Sequence, residues 1–299
     1  MTFSDELKKV CPDTKENEPM RLHTTFRIGG AADFFSSPSD ISQLIASLTL
    51  CRENQVPYMI LGNGSNMLVS DGGIEGVVID LSASFTSIAR DGCTLSADAG
   101  VLMPRLARFA MDGGLSGMEQ ISGIPGTLGG VVCMNAGAYG REIKDIITSV
   151  TYLDEDLSVK KASGDELGFG YRKSMFSDRN CIVLSAELAL CPGDPKKIQS
   201  ETAIYTEKRV SKQPLNLPSA GSVFKRPEGY FAGDLIERAG LKGFRIGGAE
   251  VSKKHAGFIV NADNASAADV IALIEHIQKT VKEKFSVALE PEIKLTGRR

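Results

Sequence analysis

The sequence predicts an α+β fold with a strand-rich first part and a smaller, more helical C-terminal part. Three observations point there. Strand-like segments fill the first ~190 residues; two glycine loops, LGNGSN (61–66) and SGIPGTLGGVVCMNAG (122–137), lie among them; and amphipathic helical spacing dominates after Asp194–Pro195. With 299 residues and 42% hydrophobic content, the chain exceeds one compact core and divides into two or three domains.

The elements follow in order. Pro38–Ser39–Asp40 opens a helix in which Ile41, Leu44, Ile45 and Leu48 recur at i, i+3, i+4 and i+7. YMILG (58–62) is a short apolar strand running into the first glycine loop, and IEGVVIDL (74–81) is another. Asp91–Gly92 marks a hairpin, after which Cys93, Leu95, Ala97 and Ala99 alternate with polar residues. Pro104 starts a short helix through Leu106 and Phe109 that stops at Gly113–Gly114. Strands are expected at 145–153, around 159–161 and at 181–190.

Asp194–Pro195 supplies an N-cap with Pro at the first helical position, for a helix to about Ser211 that ends before Pro214. The charged, proline-punctuated stretch 206–218 reads as a domain boundary. Beyond it come a helix in FAGDLIERAG ending at Gly240, a strand at 255–261 and a long helix from Ser266. There Ser266 and Asp269 form a capping box, and Val270, Ile274, Ile277 and Val281 make one apolar stripe. PEIKLTG (291–297) is the last strand.

Glycine crowds where backbone needs positive φ or passes close to something large, and successive N–H groups in such loops make anion-binding hollows. Tight turns between strands account for either loop alone. Together they suggest one long phosphate-bearing ligand, a dinucleotide. The fingerprint GxGxxG opening a helix is absent after the first loop, so the binding is not of the Rossmann kind.

Net charge of −3 gives no global basic surface for nucleic acid or acidic lipid. No apolar run approaches the ~20 residues of a membrane span, and MTFSDELKKV lacks a signal-peptide core, so a cytoplasmic protein is expected. A monomer is favoured. Cys11, Cys51, Cys93, Cys133, Cys181 and Cys191 show no CxxC spacing and read as reduced core residues. His23, His255 and His276 form no paired ligand motif, so no metal is expected.

Four polar segments stand out. In GFGYRKS (168–174), Arg172 beside aromatics can clamp a carboxylate or phosphate with two hydrogen bonds, or snorkel over apolar neighbours. In PSAGSVFKRP (218–227), Ser222 follows a glycine with two cations beyond it. It has no GxSxG elbow, so a nucleophilic hydrolase fits poorly, while a proton-donating serine or a plain turn serine remain open. In LEPEIK (289–294), strand alternation places Glu292 and Lys294 on one face and Ile293 and Leu295 on the other, facing a cleft or an exposed edge. Lys242, Arg245, Lys253 and Lys254 form a basic group, most simply a solvated face.

HTTFRIGGAADFF (23–35), the 61–81 and 122–143 segments, YRKSMF (171–176), PSAGSVFKRP, AGLKGFRIGGAEVSKKHAGFIVN (239–261) and LEPEIKL (289–295) occur in an order that resembles the UDP-N-acetylenolpyruvoylglucosamine reductase family over nearly the whole chain. The resemblance implies an FAD-binding domain of the vanillyl-alcohol oxidase/PCMH type at 20–192, its two subdomains split near 75. A C-terminal UDP-sugar domain follows at 205–299, its last strand near 292–297 reaching back to the active site. Gly62, Asn63, Gly64, Ser65 and Asn66, with Ser122, Gly123, Ile124, Gly126, Thr127, Gly129, Gly130, Ala136 and Gly137, are then implied to line non-covalent FAD through their N–H groups, and Arg172 to touch it.

In such enzymes NADPH reduces FAD, and the flavin passes hydride to the enolpyruvyl ether of UDP-N-acetylglucosamine, giving UDP-N-acetylmuramate for peptidoglycan. By matching motif, Ser222 is implied to be the proton donor, Arg172 to stabilise charge on the carboxylate, and Glu292 to polarise the substrate. Lys225 and Arg226 are implied to meet the substrate. Arg226 stands where many members have Asn, and the short PGDPKK connection (192–197) resembles the subclass lacking a tyrosine-bearing loop. A flavin oxidase on the same domain and a nucleotide-binding module without turnover are the rival readings.

Overall fold

The computed structural model describes residues 2–298. The chain forms two compact units, each assembled from separate stretches. Met1–Thr14, Ser36–Asn63 and Ile79–Arg209 make the first; Lys15–Phe35, Gly64–Val78 and Val210–Arg299 make the second. The chain passes between them five times, once inside the first glycine loop, between Asn63 and Gly64, and once inside the helix Pro195–Lys212, between Arg209 and Val210.

The first unit is built on a five-stranded antiparallel sheet in the order Val159–Ser163, Ile147–Leu153, Ile182–Ala189, Thr94–Asp98, Ile88–Asp91. The hairpin expected at Asp91–Gly92 forms: Asp91 pairs with Thr94, and Gly92 takes φ +57, the left-handed backbone a tight turn needs. Leu95, Ala97, Val150, Val183, Ala186 and Leu188 of these strands share one core with Met103, Leu106 and Ala110 of the helix Met103–Asp112. That helix has Pro104 in its first turn and stops at Gly113, as its sequence predicts.

The second glycine stretch is not all loop. It contains the helix Leu128–Cys133, which buries Leu128, Val131 and Val132. Their i, i+3, i+4 spacing is the helical signal, masked in the sequence by glycine content. Gly129 brings this helix close to the segment after Thr94–Asp98: its N–H donates to the Ala99 carbonyl at 2.8 Å, and an added Cβ would lie 3.0 Å from the Ala99 Cβ.

Helix Ile41–Glu53 begins where the Asp40 carboxylate accepts the Gln43 N–H, and Pro195–Lys212 where Asp194 accepts the Lys196 N–H. Of the stripe expected in the former, Leu44 and Leu48 are buried and Ile41 is exposed. All six cysteines are free thiols. Cys11, Cys51 and Cys181 lie in the core, where burial pushes the Cys51 and Cys181 thiols up to about 11. Cys191 corrects the expectation: it sits exposed in the short strand Cys191–Pro192, which lies outside the packed sheet.

The second unit holds a three-stranded antiparallel sheet, Arg245–Ile246, Ala249–Val251 and Ile259–Asn261. The helices Ala232–Arg238 and Ala267–Phe285 share its core. The long helix has the Ser266–Asp269 capping box, and Val270, Ile274, Ile277 and Val281 are all buried. Asp71 adds a second cap, its carboxylate accepting the N–H groups of Ala267 at 2.8 Å and Ala268 at 3.0 Å.

Two expected strands are shorter than their sequence pattern. Residues 255–258 form a turn instead of strand, because the Ser252 hydroxyl accepts the Lys254 and His255 N–H groups and the His255 carbonyl accepts from Phe258. The tail strand is Lys294–Thr296, parallel to Met67–Val69. Ile293 is buried, but Leu295 is 52% exposed, since a two-stranded ribbon supplies no second layer over it.

Candidate active site

Within the first unit the end of the strand Tyr58–Leu61 abuts the long glycine stretch. The Asn63 amide donates to the Pro125 carbonyl, and any Cβ at Gly62 would collide with the Thr127 hydroxyl. Gly62, Asn63, Pro125 and Thr127 therefore form one surface. Several amides there are already committed. Ile124 N–H donates to Ile121, Gly129 to Ala99 and Ala136 to Val131, and the Ser122 hydroxyl bonds the Glu119 carbonyl at 2.8 Å. These residues shape the loop through packing. Gly130, by contrast, is exposed, with Thr127 Oγ1 3.7 Å from where its Cβ would be. Gly137 opens a hairpin whose tip, Tyr139 and Gly140, takes positive φ at both residues.

Arg209 was not singled out in the sequence. Its side chain lies over Gly123, with Cδ 2.9 Å from where a Cβ would stand. Burial lowers the guanidinium's pKa, and among the described residues it makes no ion pair. The Tyr139 and Tyr205 rings meet at 5.1 Å, with Lys208 5.0 Å over the Tyr205 ring. A half-buried cation without a carboxylate, set against a glycine loop, fits a bound diphosphate.

Arg172 also belongs to the first unit. It occupies the tip of a tight turn in which Gly170 and Lys173 exchange backbone hydrogen bonds at 2.9 and 3.3 Å. Its φ is +55, a left-handed conformation uncommon outside glycine. The guanidinium lies 5.3 Å from the centroid of the exposed Tyr171 ring.

Ser222 and Glu292 meet through backbone in the second unit. Ser222 bridges Phe258, Phe224 bridges Pro291, and Val223 donates to the Gly257 carbonyl while accepting from Glu292 N–H at 2.7 Å. Ser222 is exposed and Glu292 half-buried. Asn66 of the first glycine loop joins them, its side-chain amide donating to the Glu292 carbonyl at 3.2 Å and its own carbonyl accepting from Lys294 at 3.0 Å. Gly64 has φ +56, and a Cβ there would strike the His23 carbonyl. Thr25 ties the same region, its N–H bonding the Gly64 carbonyl and its hydroxyl the Ser219 carbonyl at 2.7 Å.

Lys225 pairs with Glu290 at 3.2 Å on an exposed surface, where screening keeps such a pair weak. Arg226 stacks on Phe231, guanidinium carbon 4.0 Å from the ring centroid. In the basic group, Lys242 pairs with Glu237, while Arg245 and Lys253 pair with Glu250. Burial holds the His255 imidazole below its usual pKa, and its Nδ1 accepts the Gly257 N–H. Among the described residues no cluster of three or more His, Cys, Asp or Glu could hold a metal, and no helix is long and apolar enough to cross a membrane.

Two family models match the chain in sequence order, on boundaries that differ from those of the two compact units. Residues 32–163 match the FAD binding domain model, and residues 213–296 match the model of the UDP-N-acetylenolpyruvoylglucosamine reductase C-terminal domain. The chain is 48% identical over 295 residues to the UDP-N-acetylenolpyruvoylglucosamine reductase of Caldanaerobacter subterraneus subsp. tengcongensis, covering 98% of this chain and 97% of that one. It is 49% identical to that of Alkaliphilus oremlandii, covering 97% and 96%. The crystal structure of UDP-N-acetylenolpyruvylglucosamine reductase from Thermus caldophilus superposes with a TM-score of 0.82 at 36% identity, over 94% of this chain and 98% of that one. A variant of the pollen protein Phl p 4, a glucose oxidase, shares the fold alone, with a TM-score of 0.51 at 17% identity over 76% of this chain and 53% of that one. With near-half identity along almost its full length, this chain belongs to the UDP-N-acetylenolpyruvoylglucosamine reductase family.

Proposed function

We propose that this protein binds FAD and, with NADPH as reductant, reduces the enolpyruvyl ether of UDP-N-acetylglucosamine to UDP-N-acetylmuramate. The observation that carries the reading is the backbone register placing Ser222 beside the Glu292 segment, in a chain of this family. Non-covalent FAD would be held at the surface of Gly62, Asn63, Thr127 and Gly130, with the half-buried Arg209 against its diphosphate. When bound, it supplies the hydride that reaches the substrate's methylene carbon.

The protein's own residues do the rest. Arg172 sets its planar guanidinium against the substrate carboxylate, where charge develops as the neighbouring carbon gains electron density. A fixed donor so aimed lowers the barrier by on the order of 2.7–4 kcal/mol. The exposed Ser222 hydroxyl gives its proton to that carbon. Its high pKa is no obstacle, because an enolate-like carbon is basic enough to take the proton. Glu292 polarises the substrate from the other side, and Lys225 and Arg226 meet its diphosphate. Lys225 then exchanges its weak exposed pairing with Glu290 for a phosphate.

The test is direct. Protein with a flavin spectrum should bleach with NADPH under anaerobic conditions and recover at once on adding the enolpyruvyl sugar, with one UDP-N-acetylmuramate formed per flavin. Recovery with oxygen alone, and none with the sugar, would replace this reading with a flavin oxidase.

A further inference from the structure

Asn135 lies at the end of the second glycine stretch, yet glycine-like bending does not explain it. It is fully buried, with φ +41. Its Nδ2 donates to the Gly170 carbonyl at 2.9 Å and to Glu142 Oε2 at 3.0 Å, while its Oδ1 accepts the Lys144 N–H at 3.2 Å. One side chain thus joins the end of the helix Leu128–Cys133, the hairpin after Gly137 and the turn that carries Arg172. Ser174, also fully buried, holds the other end of that turn through a 2.8 Å bond from its hydroxyl to the Cys133 carbonyl.

The turn needs such ties. Arg172 is left-handed at φ +55, a strained conformation for a non-glycine residue that persists only where the surroundings over-determine it. The backbone exchange between Gly170 and Lys173 closes the turn but does not orient it. Asn135 and Ser174 do, because each fastens one end to the same short stretch, 133–135.

We infer that Asn135 is a positioning residue, holding Arg172 where it meets the substrate carboxylate. Resting on the reading of Arg172 given above, this assigns Asn135 a part in the second half-reaction and none in flavin reduction. Asparagine suits the site: it supplies two donors to two acceptors and tolerates left-handed backbone, whereas aspartate would set an oxygen against both the Gly170 carbonyl and Glu142.

The test is a double-mutant cycle of Asn135→Gly, which keeps positive φ accessible, with Arg172→Ala. FAD content, the rate of NADPH bleaching and the rate of substrate-driven reoxidation are measured for all four proteins. Asn135→Gly is expected to slow reoxidation by ~10–100-fold, the scale of a misplaced catalytic group, with bleaching within about twofold of wild type. The double variant should be no slower than Arg172→Ala alone. Multiplying losses, or equal slowing of both steps, would overturn the inference while leaving Arg172's role intact. A fully active Arg172→Ala would instead remove the reading of Arg172, and this inference with it. If Asn135→Gly does not accumulate as a flavoprotein, Asn135→Ser, smaller and with one hydroxyl in place of the two amide donors, takes its place in the cycle.

Discussion

The main-chain N–H of Glu292 donates to the carbonyl of Val223 at 2.7 Å, so the residue after Ser222 and the start of the C-terminal tail are locked in register. That bond joins residues 69 positions apart, and Lys225 N–H to Glu290 and the Asn66 amide to Glu292 fasten the same segment.

Ser222→Ala should therefore disturb chemistry without disturbing structure. NADPH bleaching of the flavin is expected to stay within about twofold of wild type, while substrate-driven reoxidation falls by ~10²–10⁴-fold, the usual weight of one proton-transfer group. Stopped-flow absorbance follows both steps; equal losses in the two would mean that Ser222 gives no proton to substrate.

Arg209→Ala should weaken FAD binding. A guanidinium hydrogen-bonded to a diphosphate contributes about 1.5–3 kcal/mol, so the dissociation constant is expected to rise by ~10–100-fold. Fluorescence titration of the apoprotein measures it, and unchanged affinity would place the diphosphate elsewhere.

Asp71→Ala removes the carboxylate shared by the Ala267 and Ala268 N–H groups. The Ser266–Asp269 box remains, so the loss is that of one cap, about 0.5–2 kcal/mol. Urea unfolding with an unchanged m-value would register it.

Asp269 has its carboxyl held below the usual range, first by the Ser266 N–H and then by the Gly248 N–H. Because the folded value is the lower one, its contribution is complete above the unfolded pKa of ~3.9 and disappears as pH falls through the folded value. Asp269→Asn should lower stability at neutral pH and flatten the loss below about pH 4. Thermal melts from pH 7 to 3 test this, and parallel curves would contradict it.

Local pattern was legible where one residue type has one use. Asp40, Pro104, Asp194 and Ser266 each begin a helix at the expected place, and the Asp91–Gly92 turn pairs as read. The helix Leu128–Cys133 was obscured because glycine lowers helical propensity, and packing against Ala99 overrides that cost. Cys191 is exposed because apolar neighbours in sequence do not guarantee a covering layer.

Caps, turns, apolar stripes and the motif order are short-range properties, and the chain states them openly. The parts played by Asn135, Arg209, Asp71 and Thr25 are not short-range. Each acts on a backbone group or loop at least 35 and up to 197 positions away. A polar side chain reads as ordinary in a string of letters until folding brings its partner close, and burial then makes a hydrogen bond left unmade costly.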